Sequence, residues 1–461
     1  TITYNATMQV EETLMTLNEN QEIEPCLAES WEQVDDLTYR FHLRKGVKFH
    51  NGEELKASDA VFSLKRSIES AVLSNIVGNM DPDSLTVEDD YTFTLKNKEP
   101  YSDTLYYFTW PSMAIISEKE FNDKGGDYST DASGIGTGPY KFVEWKTGEY
   151  VLLERNEDYW NGAPEIEKLC FRILTDPSAR VIALETGEVD FIYFVPCASL
   201  ESLKSNEDLI VKQYAGPTTT AFMPKVTDEP FTDVRVRQAL SYAIDSKSLC
   251  KVVFGEGASS MECIVPEGWP TYEEGMVYPY DPDKAKELLA EAGYDESNPL
   301  TFDVWIHDQS EYRKALEIMQ AMWSEVNVNI NIKVLEAAAM SAATAANEQP
   351  STLGPSGSAF GLPYDIYYGY TTACIPPEGS GNRVAYSNSD YDKLVEEAKG
   401  EFDADKKEAI LKECEEKLLD EAIVIPIFCK DIIYAYNKDL ENVKMLPVNW
   451  VYFENVTFNE E

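Results

Sequence analysis

The chain has 461 residues, in which 39 Lys and Arg stand against 82 Asp and Glu, a formal net charge of −43. A surface with about two acids per base repels phosphate backbones and anionic headgroups, which excludes nucleic acid and a basic-patch membrane dock as partners. Apolar residues make up 43% and charged residues 26%, the balance of a globular chain long enough for two or three cores.

Strand and helix signals alternate along the whole chain, which predicts an α/β architecture. The first clear element is LTYRFHL at 37–43, where Tyr39, Phe41 and Leu43 alternate with Arg40 and His42 at the period of a half-buried strand. A turn at Gly46, a short run at 47–49 and the Asn51-Gly52 pair continue this as a hairpin. Ser58 is the expected cap of the helix that follows through Val61, Phe62, Leu64 and Ile68. Two more hairpins are expected, 85–95 around Glu88-Asp89-Asp90 and 140–155 around Lys146-Thr147-Gly148, so 33–163 is predicted to be an antiparallel-rich subdomain.

After that the pattern changes. A strand at 166–174, a helix at 178–185 and a strand at 189–194 suggest a βαβ unit. Helices are expected at 234–243 and after Asp281-Pro282, where Asp281 caps and Pro282 takes the first helical position. A second strand–helix–strand unit spans 300–306, 311–325 and 328–335. Helices at 391–399 and 404–421 and strands at 423–428 and 432–436 close the pattern, with no internal repeat.

The longest uncharged apolar run, AIVIPIFC at 422–429, falls far short of the roughly 20 residues that cross a bilayer. Thr1 opens into TITYNATMQV with neither a basic nor an apolar leader region, so an export signal is expected to have been removed or never present. Eight scattered cysteines lack CxxC spacing, which argues against zinc and dithiol chemistry and leaves one or two disulfides open.

Three histidines (His42, His50 and His307), no GxSxG and no HExxH leave little for a hydrolase triad or a zinc site. Residues 357–361 (GSAFG) read as a loop, and GIGTG at 134–138 precedes a strand rather than a helix, which argues against a phosphate loop. Neither a metal nor a cofactor is expected. Paired carboxylates for a secreted hydrolase are the alternative of another class, on which spacing is silent with 82 acids present. Aromatic clusters stand out instead: Tyr107 and Trp110 with their neighbours, and Tyr364, Tyr367 and Tyr368 among loop residues. They are read either as core or as the wall of a ligand site.

Several segments together resemble the family 5 extracellular solute-binding proteins, the peptide and nickel receptors of ABC importers. They are PCLAESWE at 25–32, LTYRFHLRKGVKFHNGE, ASDAVFSL, GTGPY with FVEW, LERNEDYWNGAPEIEKLCFRI, PFTDVRVRQALSYAID, YDPDKAKELLAEAGY and YSN at 386–388, all in family order. The resemblance implies a two-lobed periplasmic-binding-protein-like fold of type II, cluster C. Lobe one would comprise 1–32, 164–223 and 437–461 with 33–163 as its extra subdomain, and lobe two 224–436. It implies a non-enzymatic, monomeric receptor outside the cytoplasm, in the periplasm or as a lipoprotein at the outer face of the cytoplasmic membrane, which closes on its ligand and is recognised by ABC permease subunits.

A short peptide is the leading ligand, with an oligosaccharide or another small solute as the alternative. The family's peptide receptors carry a Trp and an ammonium-pairing Asp near the text aligned with 357–365. Here the Trp is absent and Asp365 is the available replacement, a capped turn being its other reading. Asn382 resembles the family Asn of the next loop, and Arg383 beside it suits a carboxylate. Phe222, Trp305 and His307 complete the candidate ligand contacts. The acid excess would bias the site toward cationic or neutral solutes.

Overall fold

The computed structural model describes residues 2–70, 73, 77–357, 362–446 and 448–459, and divides into two units. The first comprises Thr1–Tyr193, Asn206–Ile210 and Ala435–Glu461, and the second Phe194–Ser205 and Val211–Tyr434.

The first unit opens with helix α1 (Ile2–Val10) and builds an antiparallel sheet from β1 (Ala28–Gln33), β2 (Thr38–Leu43), β3 (Met80–Asp89) and β4 (Thr92–Asn97), in spatial order β1-β2-β4-β3. The alternation in β2 is the cause of its placement. Tyr39, Phe41 and Leu43 are buried, Phe41 stacks on Phe93 at 5.0 Å, and Arg40 on the opposite face bridges Glu32 and Glu88. The expected hairpin within 37–49 is not how β2 pairs. Its partners are β1 and β4, while the Asn51-Gly52 turn closes the following segment on itself, with Phe49 N donating to Glu53 O at 2.8 Å, Leu55 N to Val47 O at 2.9 Å and a Lys48–Glu54 bridge.

Helix α2 (Ala57–Ile68) starts two residues earlier than a Ser58 cap would allow. Lys56 is the N-cap, and the Asp59 carboxylate accepts from Lys56 N at 3.0 Å and from Glu118 N at 3.2 Å. An acid in the first turn thus replaces the expected serine.

A second sheet contains β5 (Tyr140–Lys146), β6 (Tyr150–Arg155) and β7 (Lys168–Arg172), all antiparallel. Here the βαβ expectation for 166–194 fails. β7 hydrogen-bonds to β6, while the run at 189–194 contributes only Phe191 and Ile192, which pair antiparallel with Tyr436 and Ala435. Period alone marks a strand; it does not choose the partner. Gly136 and Gly138 serve packing on α1: a Cβ on Gly136 would lie 2.0 Å from Val10 O, and one on Gly138 2.5 Å from Gln9 O.

Just after α1, the buried Glu12 accepts from Thr137 Oγ1 (2.7 Å), Tyr159 OH (2.8 Å) and Trp160 Nε1 (3.0 Å), and Tyr159 OH also reaches Glu454 at 3.2 Å. Burial pushes both Glu12 and its neighbour Glu11 up to about 7, against these hydrogen bonds at Glu12 and against Arg66 and Tyr128 at Glu11.

The second unit contains β8 (Thr218–Pro224), α3 (Val234–Tyr242), β9 (Ala258–Ser260), α4 (Pro282–Glu291), β10 (Leu300–His307), α5 (Ser310–Ser324), β11 (Val328–Leu335), β12 (Ser351–Gly357), α6 (Pro363–Tyr368), α7 (Ser389–Gly400), α8 (Ala404–Asp420) and β13 (Ile425–Lys430). Its six-stranded sheet has the order β9-β13-β8-β12-β10-β11. The strand–helix–strand reading of 300–335 matches what forms: β10 and β11 run parallel, from Leu300 opposite Val328 to His307 opposite Leu335, with α5 between them in sequence. Asp281 caps α4 through Lys284 N at 2.9 Å.

One face of this sheet carries the core. Phe222, Phe231, Phe302 and Trp323 pack edge-on or tilted at 5.0–6.3 Å, and the Trp323 indole donates to Leu240 O at 3.0 Å. All eight cysteines are free thiols. Among the described residues no helix is long and apolar enough to cross a membrane.

Candidate ligand-binding site

The second unit's sheet has one apolar face and one polar one, and strand alternation decides which side chains share the polar face. In β10, Leu300, Phe302, Val304 and Ile306 are buried toward the core, so Trp305 and His307 point the other way. Trp305 lies opposite Lys333 of β11 on one side and Thr352 of β12 on the other. Counting by two along β12 then puts Gly354 and Ser356 on that same face. In open α/β sheets ligands bind beyond the carboxyl ends of parallel strands, and Trp305, His307, Lys333, Gly354 and Ser356 occupy those ends.

The polar groups there are unevenly satisfied. Lys333 Nζ sits 3.6 Å from the Trp305 ring centroid, and Trp305 Nε1 is buried with no hydrogen-bond partner among the described residues. Ser356 Oγ and Tyr370 OH share a short hydrogen bond of 2.5 Å. Arg383 lies over Gly354, where a Cβ would stand 3.5 Å from its Nη1. Among the described residues its guanidinium makes one hydrogen bond, to Pro355 O at 3.3 Å. Burial holds the guanidinium below its ordinary range, opposed only by the Tyr370 and Tyr312 phenols. Burial likewise pushes Tyr370 up to about 12 and raises Tyr312. The nearby acid Glu311 is occupied by Lys430 at 2.7 Å, and Asp308 by Arg313 at 3.0 Å. Among the described residues no group of His, Cys, Asp and Glu could hold a metal ion. This is a surface of donors and aromatic faces, fit to hold a solute.

The model of the family described as bacterial extracellular solute-binding proteins, family 5 Middle, matches residues 22–375. The chain belongs to that family. Family 5 relatives include the heme-binding protein A of Haemophilus influenzae, 31% identical over 88% of this chain and 79% of that one. Another is the glutathione-binding protein GsiB of Pectobacterium atrosepticum, 28% identical over 94% of this chain and 85% of that one. Among solved structures, HbpA2 of Haemophilus parasuis superposes with a TM-score of 0.88 at 26% identity, covering 99% of this chain and 95% of the other. DppA of Helicobacter pylori in complex with the peptide STSA gives 0.81 at 25%, covering 99% and 94%. The relatives are named as binding proteins, and this family 5 chain is a solute-binding protein rather than an enzyme.

Within this family 5 protein the residues singled out from sequence have very different surroundings. Trp305 and His307 stand at the end of β10, and Arg383 lies over Gly354 of β12. Tyr364 is buried and stacks on the exposed Tyr368 at 5.9 Å, and Asp365 stands in the first turn of α6. Tyr367 is fully buried, its hydroxyl bound to Glu415 Oε2 at 2.9 Å and to Thr271 Oγ1 at 3.0 Å. Asn382, also fully buried, donates to the carbonyls of Tyr370, Thr371 and Tyr386 and accepts from Tyr386 N, so its amide is spent on the loop. Phe222 is in the core of the second unit. Tyr107 and Trp110 are buried in the first unit, with Tyr107 OH 2.9 Å from Tyr101 OH. Residues 358–361 of the GSAFG text lie outside the described residues.

Sequence reasoning did not single out Tyr312, Lys333 or Ser356 as ligand contacts. The available signal was positional: each stands at, or just after, the carboxyl end of a strand in the parallel part of the sheet.

Proposed function

We propose that this family 5 protein captures a short peptide outside the cytoplasmic membrane and delivers it to the permease of an ABC importer, either free in a periplasm or held as a lipoprotein at the outer face of that membrane. The observation that carries the reading is the polar strip of Lys333, Trp305, Ser356 and Arg383 at the carboxyl ends of β10, β11 and β12, backed by the rigid aromatic core. Family membership supports it, as does the likeness to DppA of Helicobacter pylori, solved in complex with the peptide STSA. Asp365 is the proposed partner of the peptide's α-ammonium, and the exposed Tyr368 an aromatic contact beside it.

A ligand that binds only the folded form stabilises it by about 2.7 kcal/mol at a hundredfold excess over Kd. Thermal melts with mixed tri- and tetrapeptides should therefore rise, and melts with oligosaccharides should not. A rise with a sugar and none with any peptide would remove the peptide reading. Asp365→Ala should weaken peptides with free N-termini more than N-acetylated ones; equal loss would remove Asp365 from the ammonium role.

A further inference from the structure

Three side chains in and just after α1 meet the C-terminal segment of the first unit in succession. Asn5 Nδ2 donates to Asn449 O at 3.0 Å, and Asn5 Oδ1 accepts from Val451 N at 3.0 Å. Gln9 Nε2 donates to Val451 O at 2.9 Å, and Gln9 Oε1 accepts from Phe453 N at 3.1 Å. Glu12 comes next, and its tie to residue 454 runs through one phenol, Tyr159 OH lying 2.8 Å from Glu12 Oε1 and 3.2 Å from Glu454 Oε2. The first two ties are neutral amides, whereas the third joins two acids.

A phenol has one proton to give. With both acids ionised, whichever carboxylate takes that proton leaves the phenol oxygen turning a lone pair toward the other, and two like charges so close raise the proton affinity of one of them. Burial says which. Glu12 is buried and pushed up to about 7, while Glu454 is half-buried and lies beside Asn455 Nδ2 at 3.3 Å. Glu12 Oε2 accepts from Thr137 Oγ1 at 2.7 Å and from Trp160 Nε1 at 3.0 Å, as the carbonyl oxygen of a neutral carboxyl does. Among the described residues no Lys or Arg pairs with either acid. Arg44 lies over the Trp160 ring at 4.7 Å and donates to Cys26 O at 2.5 Å, Arg155 is paired with Glu157 at 2.8 Å, and Glu11 faces Arg66 and Tyr128 instead. Cys26, with its Sγ 3.7 Å from Glu12 Oε1, and the Tyr140, Tyr159 and Tyr452 phenols are raised by burial and keep their protons.

We infer that Glu12, Tyr159 and Glu454 form a proton-operated clamp on the C-terminal segment. With Glu12 protonated on Oε1, its O–H donates to the phenol oxygen and the phenol O–H donates to the Glu454 carboxylate, so each contact joins a donor to an acceptor. When that proton leaves to water, a carboxylate stands at each end of one phenol and residues 453–456 loosen; its return restores the hold. The amide ties of Asn5 and Gln9 do not titrate. The clamp lies wholly in the first unit and is independent of which solute the protein takes.

The test is hydrogen exchange on the whole protein from about pH 6 to about pH 9, each rate divided by that of an unstructured peptide of the same sequence to remove base catalysis. Phe453 and Val456 report the clamp, and Val451, whose amide donates to Asn5, is the internal control. In the wild type the opening of Phe453 and Val456 should rise above about pH 7 by up to tenfold per pH unit, the limit for release of one proton, while Val451 stays level. Glu12→Gln carries in its amide the donor that the carboxyl has only when protonated, so it should stay closed with no such rise. Tyr159→Phe should be open at every pH, again without the rise. Infrared difference spectra of wild type against Glu12→Gln, both first checked for the same circular dichroism, should show one protonated carboxyl more in the wild type at neutral pH. A level wild-type profile, a Val451 rise parallel to that of Phe453, a wild-type slope surviving in either variant, or no carboxyl band in the difference spectrum would each overturn the inference.

Discussion

Tyr367 donates its hydroxyl to Glu415 Oε2 across 2.9 Å, and neither side chain has any exposed surface. Glu415 Oε1 accepts from Ile264 N at 2.5 Å, so one carboxylate ties α6, α8 and the segment after β9 together. Burial raises the Glu415 carboxyl, and the donors from Ile264 and Tyr367 hold it down. Tyr367→Phe removes one donor from a group that water does not reach, a loss of about 1–3 kcal/mol. Urea titration should show that loss; a change under 0.5 kcal/mol would mean Glu415 is solvated there.

The Glu11–Glu12 pair predicts a pH dependence with a definite sign. Both carboxyls stand at about 7 in the folded chain against an ordinary 4.5, so the folded state holds protons that the unfolded state has released. Their contribution is fully present below 4.5 and is lost as pH rises through 7, at no more than about 1.4 kcal/mol per pH unit for each group. His50 opposes them: it is buried, hydrogen-bonded to Gly138 O at 2.9 Å, and lowered to about 4 from 6.5, so its contribution is present above 6.5 and lost on acidification. Comparing Glu12→Gln with wild type cancels His50. The variant should lose less stability than wild type between pH 5 and pH 8, and parallel curves would contradict the account of Glu12.

Phe222→Ala should cost about 3–5 kcal/mol, the range for emptying an aromatic site in a packed core, because Phe222 touches Phe231, Phe302 and Trp323 on the buried face of the sheet. A loss below 1 kcal/mol would place it outside that core.

Gly136 and Gly148 make a controlled pair. A Cβ at 136 would stand 2.0 Å from Val10 O, whereas at 148 it would meet nothing within 4 Å and face only the φ of +78°. Gly148→Ala should cost about 1–2 kcal/mol of left-handed strain. Gly136→Ala adds a backbone collision on α1 and should cost more, seen as a larger drop in melting temperature. Equal drops would show that the close approach does not constrain the chain.

What was legible in the sequence was local or periodic. β2 could be read from Tyr39, Phe41 and Leu43 because one buried face forces alternation, and the β10–α5–β11 unit because its hydrophobic spacing changes from two to about 3.6 and back. β7 could be read as a strand, but its partner is set by long-range register and proved to be β6. The cap of α2 was misplaced because Asp59 reaches back to Lys56. The site was less legible. A tyrosine-rich segment does not show that Tyr367 spends its hydroxyl on Glu415, 48 residues away, while Tyr368 next to it stays exposed. Arg383 drew notice beside Asn382, yet its isolation from every carboxylate among the described residues exists only in three dimensions.

The most direct test of the receptor account is to incubate the purified protein with a mixture of tri- and tetrapeptides, isolate it by gel filtration and identify the retained molecules by native mass spectrometry. The account predicts one-to-one complexes from which intact peptides are released. Cleaved products, or a protein that emerges without any peptide, would contradict it.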